Sequence, residues 1–426
     1  MNTTPKPLGL WTAIALVVGS MIGSGVFLLP ATLASYGAAS LLGWGLTLCG
    51  ALLLALVYSW LAKKITRIGG SYAYAHEAFG PGTGFFVAWS NWISMWCGNA
   101  ALSVAFAGSL GAVFPEATST PMRGAACALG GLWFCTIVNC TGIRKAGHMQ
   151  LITTILKTVP LILFGLIGLA YIKADSYQPF NPSHQNLFSV ATTTAAITLW
   201  AFLGFEAATI PSASIKDPER TVPRATIIGM LIAGLATMLT CTVVLGLLPS
   251  DVLVKSAAPM ADAATRLWGS SAGLAVGVIA TISCFGALNG WVLLQGQIPL
   301  AAANDKLFPS IFGKVDSRNT PVAGLLISTT LATAIVLSNY SHSLIQLFAF
   351  SILLSTAANL LPYAVSVAAW IKMNQQARPI KLIVAGLALL YALWALKGTG
   401  NEALIWGGVL LLAGVPVYLY QWNKSP

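Results

Sequence analysis

The chain is a succession of apolar runs, each long enough to cross a lipid bilayer. A transmembrane helix needs about 20 apolar residues to span roughly 30 Å of hydrocarbon. Of the 426 residues, 57% are hydrophobic and only 8% are charged, whereas a soluble domain is roughly 25% charged. The sequence therefore predicts an all-α membrane protein with twelve transmembrane helices. These helices are expected near residues 9–36, 41–62, 84–113, 123–142, 149–172, 188–213, 225–249, 271–299, 321–339, 343–371, 380–396 and 403–422.

The basic residues lie in the short breaks between the apolar runs. The net charge of +11 could suit a nucleic acid, but the Lys and Arg residues do not form one patch, so no nucleic-acid partner is expected. If the N-terminus is inside, most of them fall in cytoplasmic segments, as the positive-inside rule requires. We therefore expect a multi-pass protein of the bacterial inner (plasma) membrane, in contact with the lipid bilayer, with both termini cytoplasmic.

The residues that usually carry catalysis or bind metals form no recognisable pattern. The seven cysteines lie within apolar segments, and no Cys/His cluster has metal-ligand spacing. The four histidines pair with no carboxylate and serine in the order of a catalytic triad. We expect no catalytic residue, no metal and no cofactor, so the chain is not predicted to be an enzyme.

The first apolar run contains three glycines close to its middle: Gly19, Gly23 and Gly25. Each glycine costs about 1 kcal/mol in a helix interior, so three within seven residues favour a broken helix. A break would expose backbone N–H groups at the start of the second half, and these attract a carboxylate. Such a break survives in lipid only if it lines a cavity or is buried in protein. Close helix packing through Gly19-x-x-x-Gly23 is an equally good explanation.

The sixth run has a similar interruption, because Gly204 and Glu206 lie near its middle. Corresponding breaks in the first and sixth helices are expected when a transporter is built from inverted repeats. We therefore predict a single transmembrane domain that contains a first five-helix repeat (about 9–172) and a second (about 188–371). Two extra helices (about 380–422) follow.

Two charged residues fall inside predicted spans. Lys157 and Glu206 each cost at least about 2.5–3.5 kcal/mol to bury in a membrane, so both are candidates for gating or proton coupling. Structural roles stay open: Glu206 could accept hydrogen bonds from unwound N–H groups, and Lys157 could donate to unwound carbonyls. Trp200 and Trp291 lie inward from the ends of their spans, where an indole face can bind a cation. Contact with lipid or with other helices is the alternative for both.

Several motifs make the chain resemble the amino acid–polyamine–organocation (APC) superfamily over nearly its whole length. The greatest likeness is to the group that contains the arginine/agmatine and putrescine/ornithine antiporters. The resemblance is carried by Gly23–Pro30, Gly69–Ala75, Leu199–Glu206, Pro218–Pro223, Gly290–Leu294, Asp305–Pro309 and Thr320–Val322.

The resemblance implies a LeuT-like fold of two inverted repeats, with the substrate between spans 1, 3, 6, 8 and 10. It also implies that Ser24 and Gly25 bind the substrate carboxylate and that the opened backbone near Leu203 accepts the α-ammonium. Trp200 would stack on the substrate, and Trp291 would line its aliphatic part.

Further roles follow from the same likeness. Asn99 matches a side chain that meets a guanidinium group, and the carbonyls of Ser94 and Met95 would lie beside it. Glu206 matches a carboxylate linked to proton sensing and gating. A homodimer is also expected from the relatives.

Three positions depart from the arginine/agmatine pattern. Ser20 replaces an asparagine, Asn91 replaces a tyrosine, and Lys157 replaces a small apolar residue. In proton-coupled members that transport neutral amino acids, a fifth-span lysine takes the place of a sodium ion. A fixed positive charge near the site also disfavours a dicationic substrate.

Three functions follow as hypotheses. The first is exchange of a cationic, arginine-like amino acid for its decarboxylated amine, an agmatine- or polyamine-like molecule, by alternating access. The second is proton-coupled amino acid symport, or neutral amino acid exchange, that uses Lys157. The third is a membrane receptor or structural protein, which would transport nothing into liposomes; the lack of a sizeable soluble domain argues against it.

Overall fold

The computed structural model describes residues 8–256, 258–338 and 344–423, without the side chains of residues 143–148, 174 and 344–345. The two ends of the chain, for which a cytoplasmic location is expected, lie partly outside these residues, as do the end of the ninth predicted span and the start of the tenth. Over the described ranges the protein is helical, and its only β-type pairing is a parallel bridge between Leu8 and Ile215.

Seventeen α-helices follow one another along the described part of the chain. The first nine are α1 (Leu10–Met21), α2 (Ser24–Leu33), α3 (Ser40–Lys64), α4 (Ser71–Phe79), α5 (Pro81–Val113), α6 (Pro121–Cys140), α7 (Ile143–Gly168), α8 (Leu187–Leu199) and α9 (Pro218–Leu247). The others are α10 (Ser250–Leu253), α11 (Pro259–Trp268), α12 (Ser270–Asn304), α13 (Val322–Ser338), α14 (Leu344–Met373), α15 (Pro379–Gly398), α16 (Asn401–Leu412) and α17 (Gly414–Trp422).

The long helices overlap the predicted apolar runs, and the shorter helices α4, α10 and α11 lie between those runs. Within the described residues, nine helical segments are long and apolar enough to cross a membrane, and two shorter apolar helices accompany them, Leu187–Phe202 and Val322–Ser338. One of the nine, Leu10–Lys64, contains two of the predicted spans. Many apolar spans are therefore present, while the total of twelve crossings and the inverted repeats stay predictions.

Apolar side chains cover the outside of the bundle as well as its inside. Ile152 on α7, Leu390 on α15 and Leu412 on α16 are each at least 60% exposed. A water-soluble protein rarely leaves large contiguous apolar surface uncovered. These faces are consistent with contact with lipid chains, and the last helices form the least buried part of the bundle.

The most deeply buried helices surround the two interruptions. α1 and α2 pack against α9 and α12, and the long helix α5 packs against both α12 and α14. The first half of the sixth predicted span, α8, passes into a 3₁₀ turn at Trp200–Phe202 and then loses its regular helical structure. Two broken helices are thus held inside a shell of continuous ones.

Candidate functional site

The first helix is interrupted between Met21 and Ser24. Ile22 has an extended backbone (φ −78°, ψ 93°), and Gly23 follows with φ −136° and ψ −128°. A Cβ on Gly23 would lie 2.7 Å from the Cβ of Ala287 on α12, so only glycine fits there without movement. Since a glycine N-cap has no side chain, the N–H groups in the first turn of α2 have no side-chain cap.

Gly19 has the packing role that was the alternative to a break. Its Cα faces α7 so closely that a Cβ would lie 2.2 Å from Nε2 of Gln150 and 2.3 Å from Oγ1 of Thr154. The glycine-rich segment therefore does both things: Gly19 allows α1 and α7 to approach, and Gly23 forms the break.

The second interruption begins at Leu203, where the backbone becomes extended (φ −62°, ψ 137°). Gly204 has φ +101°, a conformation that strongly favours glycine. A Cβ there would lie 2.9 Å from the Cβ of Ser20. The second break is thus in direct contact with the last turn of α1, because Gly204 lies against Ser20.

A small cavity of about 10 Å³, room for roughly one water molecule, lies between the two breaks, lined by Ser20–Met21, Gly23–Gly25, Leu102, Trp200 and Trp291. The two indole rings lie 5.4 Å apart between centroids, tilted by 44°. Nε1 of Trp200 donates to Oγ of Ser24 (3.1 Å), and Nε1 of Trp291 donates to the carbonyl of Ser20 (3.0 Å). These bonds fix both rings beside the start of α2.

Lys157 of α7 lies fully buried against the first break. Its Nζ donates to the carbonyls of Gly19 (2.7 Å) and Ile22, and the carbonyl of Ser283 on α12 lies 3.5 Å away. Neither of the ion pairs found in the described part of the chain includes Lys157. These contacts match the structural alternative, in which the ammonium binds carbonyls that the unwound helix leaves free.

Glu206 lies in the second break and accepts three kinds of hydrogen bond. The backbone N–H of Gly204 (3.2 Å) and the hydroxyl of Tyr363 (2.8 Å) both donate to Oε2. Nδ2 of Asn359 donates to Oε1 (3.1 Å). The carboxylate therefore binds an unwound N–H group, and it also joins the sixth span to α14.

The other predicted residues lie on α5, and all are fully buried. The carbonyl of Ser94 accepts a hydrogen bond from Ser355 Oγ (2.8 Å). Asn99 donates through Nδ2 to Oε1 of Gln295 on α12 (2.6 Å), and its Oδ1 has no partner. Asn99, Ser94 and Met95 do not line the small cavity, whereas Ser24, Gly25, Trp200 and Trp291 do. Leu203 begins the second break.

Sequence reasoning missed the partners of these residues. Gln150, Ser283, Gln295, Asn359 and Tyr363 all contact the predicted site and were not singled out. The available signal was a polar side chain inside an apolar run, the same signal that identified Lys157 and Glu206.

Two of the three positions that depart from the antiporter pattern hold buried polar atoms without a partner. These are Oγ of Ser20 and both amide atoms of Asn91. Buried polar groups nearly always have a hydrogen-bond partner. A polar ligand is one way in which such atoms are satisfied, although Asn91 does not line the cavity.

Comparison with known proteins gives one family and several relatives. The family described as "Amino acid permease" matches residues 8–410. The chain is 34% identical to the cadaverine/lysine antiporter of Escherichia coli strain K12 over 339 residues, which is 79% of this chain and 75% of the relative.

Putrescine transporters match over a longer stretch. The putrescine transporter PotE of Escherichia coli strain K12 is 29% identical over 96% of this chain and 95% of its own. The Haemophilus influenzae protein of the same name is 28% identical over 98% of both chains.

Proposed function

This chain belongs to the amino acid permease family within the APC superfamily, and we propose that it exchanges a cationic amino acid for its decarboxylated amine by alternating access. It is a multi-pass membrane transporter of amino acids or polyamines rather than an enzyme. The finer proposal is an arginine-like amino acid moving against an agmatine- or polyamine-like amine across the bacterial inner membrane. Relatives named for lysine with cadaverine, and for putrescine, support the amine class.

The cavity between the two breaks is the observation on which this proposal rests. On one side the uncapped first turn of α2, with Ser24 and Gly25, offers N–H groups and a helix dipole to a carboxylate. On the other side Trp200 and Trp291 offer aromatic faces to a cation. A molecule with a carboxylate and a cationic amine complements both, and an amine without the carboxylate retains one of the two contacts.

The proposed amino acid substrate is arginine-like. Other substrates must be tested as well, because the positive charge of Lys157 near the site disfavours a dicationic substrate. The experiment uses purified protein in liposomes that are preloaded with arginine, agmatine, lysine, cadaverine, ornithine, putrescine or a neutral amino acid. Uptake of a labelled substrate is then measured at acid and neutral pH. We expect uptake only into liposomes loaded with a cationic amino acid or its amine. Equal uptake into empty liposomes contradicts exchange, and no uptake under any condition contradicts transport.

Variants of the proposed pocket test the residue assignment. Trp291→Ala and Asn99→Ala should both weaken apparent affinity. The matched control is Trp406→Ala on α16, which removes a half-exposed tryptophan that does not line the cavity. If both pocket variants bind as tightly as the control, the assignment is wrong.

Proton-coupled symport is the second candidate, and the burial of Lys157 favours it. A lysine that binds only carbonyls could exchange a proton as α1 moves. If Lys157→Ala leaves exchange intact but abolishes pH-driven uptake, symport is the better description. If both activities survive or both disappear, Lys157 has no separate role in coupling.

We also propose the membrane topology that accompanies this function. Twelve crossings, arranged as inverted repeats over about 9–172 and 188–371, bring both termini to the cytoplasmic side. Single cysteines introduced at Lys216 and Lys255, in a chain without its native cysteines, should be labelled from opposite sides by an impermeant reagent. Labelling of both from one side contradicts this topology.

The proposed homodimer is tested by measuring the mass of the purified protein in detergent.

A further inference from the structure

A row of hydrogen-bonded side chains crosses the shell of continuous helices and ends at Asn99. Thr136 Oγ1 and Thr329 Oγ1 are 2.8 Å apart, and Nε2 of Gln295 donates to Thr329 Oγ1 (2.9 Å). Asn99 then donates to Oε1 of Gln295 (2.6 Å). All four side chains are fully buried. The row joins α6, α13, α12 and α5 in that order.

Backbone carbonyls at two points favour one direction for the hydrogen bonds of the row. Thr136 Oγ1 donates to the carbonyl of Leu132 (2.9 Å), which leaves its oxygen as the acceptor for Thr329. Thr329 is then left as an acceptor for Gln295. The Nε2 atom of Gln295 also lies 3.5 Å from the carbonyl of Leu325. A reversed Gln295 amide would face that carbonyl with its oxygen and leave no hydrogen between the two threonines.

The fixed direction of Gln295 fixes Asn99 as well. Since Oε1 of Gln295 faces α5, Asn99 must present its Nδ2 to that oxygen, and its own Oδ1 is left buried and without a partner. Asn99 lies between two residues that reach the cavity region. Gly98 packs against the ring of Trp291, and Leu102 lines the cavity.

We propose that Gln295 is a positioning residue that holds the Asn99 oxygen ready to accept a hydrogen bond from the distal cation of the substrate. This inference rests on the proposed function, because it assumes that the substrate reaches Asn99. An amide oxygen accepts from an ammonium or a guanidinium, whereas the reversed amide would offer only donors to it. The row therefore selects substrates that end in a cationic N–H donor over those with an apolar end.

The test is a comparison of substrates in liposomes. Arginine and lysine are the cationic probes, and norleucine, whose side chain ends in a methyl group, is the neutral probe of similar length. Gln295→Leu keeps much of the side-chain volume and removes the side-chain hydrogen bonds to Asn99, Thr329 and the Leu325 carbonyl. The preference for cationic probes is measured as the KM of a neutral probe divided by the KM of a cationic one. We expect Gln295→Leu to reduce this ratio by roughly tenfold, with little change in the maximal rate. The matched control, Gln297→Leu, makes the same change two residues along α12 and outside the row, and should keep the preference.

A double variant separates positioning from simple structural damage. In an Asn99→Ala background, Gln295→Leu should cause no further loss of preference, because Gln295 acts through Asn99. A further loss in that background, or an unchanged preference in Gln295→Leu alone, overturns the inference. If Gln295→Leu does not fold, Thr329→Val makes the same test, because it removes the acceptor that orients Gln295. Wild-type protein that transports no cationic substrate overturns the proposed function, whereas normal exchange with an unchanged preference overturns this inference alone.

Discussion

In each of the two broken helices, a buried charged side chain binds backbone groups that have lost their helical hydrogen bonds, but the two charges have opposite signs. At the first break the ammonium of Lys157 binds the carbonyls of Gly19 and Ile22, which belong to the end of the first half of the helix. At the second break a free N–H group, that of Gly204, donates to the carboxylate of Glu206. An unsatisfied backbone group in lipid costs several kcal/mol. The comparison teaches that a buried charge within a span can replace the hydrogen bonds that the helix gives up, provided that its sign matches the groups exposed.

The comparison is tested most strongly by Lys157→Met. This change removes the ammonium but keeps an unbranched side chain, so the carbonyls of the first break lose their donor inside the protein. We expect a loss of roughly 3 kcal/mol or more in stability. The measurement is thermal unfolding in detergent, followed by size-exclusion chromatography. Lys173→Met, at an exposed lysine, is the control and should unfold like the wild type. An unshifted transition in Lys157→Met would mean that the carbonyls do not need the cation.

Glu206→Gln should have the next largest effect. The amide keeps one acceptor oxygen, but its NH₂ group meets the donors that now serve the carboxylate. We expect a loss of about 2 kcal/mol in stability and an exchange rate that no longer varies with pH. The comparison variant is Glu219→Gln on the exposed start of α9. A Glu206→Gln protein with the wild-type pH profile would leave Glu206 with a structural role only.

Gly204→Ala tests whether the close contact between Gly204 and Ser20 contributes to stability. The new methyl group would lie 2.9 Å from Ser20 Cβ, on a backbone with φ +101°. We expect a loss of about 1–3 kcal/mol, read from the same unfolding transition. Gly386→Ala on α15 has open space around it and should be neutral or slightly stabilising. Equal behaviour of the two variants would show that the breaks are not tightly packed.

The smallest change in stability is expected for Ser20→Ala. Its Oγ is buried, has no partner and lines the cavity, so removing it should alter stability by less than about 0.5 kcal/mol. Apparent affinity for the substrate should nevertheless fall, because a ligand loses a possible hydrogen-bond partner. A large loss of stability would mean that Ser20 belongs to the structural part of the first break, and unchanged affinity would exclude it from binding.

The sequence predicted those features that depend on nearby residues. The glycine-rich segments gave both breaks, and charges inside apolar runs identified Lys157 and Glu206. Apolar length located the long helices, although α9 begins at Pro218 rather than near residue 225, and the sixth span ends as regular helix at Leu199 rather than near residue 213. All of these follow from short stretches of chain, where helix propensity and hydropathy act.

Pairings between distant segments could not be predicted in this way. Nothing near Asn99 indicates that its amide is held by a glutamine 196 positions later, and nothing near Glu206 indicates Asn359 or Tyr363. These partners are determined by how the helices pack, and one chain without related sequences carries no signal for such packing. The resemblance correctly supplied the family, but the fit of Asn99 to a substrate stays a proposal.

The contact between Gly204 and Ser20 has a mechanical consequence. Because Gly204, where the sixth span has lost its helix, lies against Ser20 in the last turn of α1, the two interrupted helices share a point about which each can rotate. Rotation about that point moves the atoms next to it very little, whereas atoms at the far ends of the two helices move much farther. A small rotation at this contact would therefore widen the opening at one end of the helix bundle and narrow the opening at the other end.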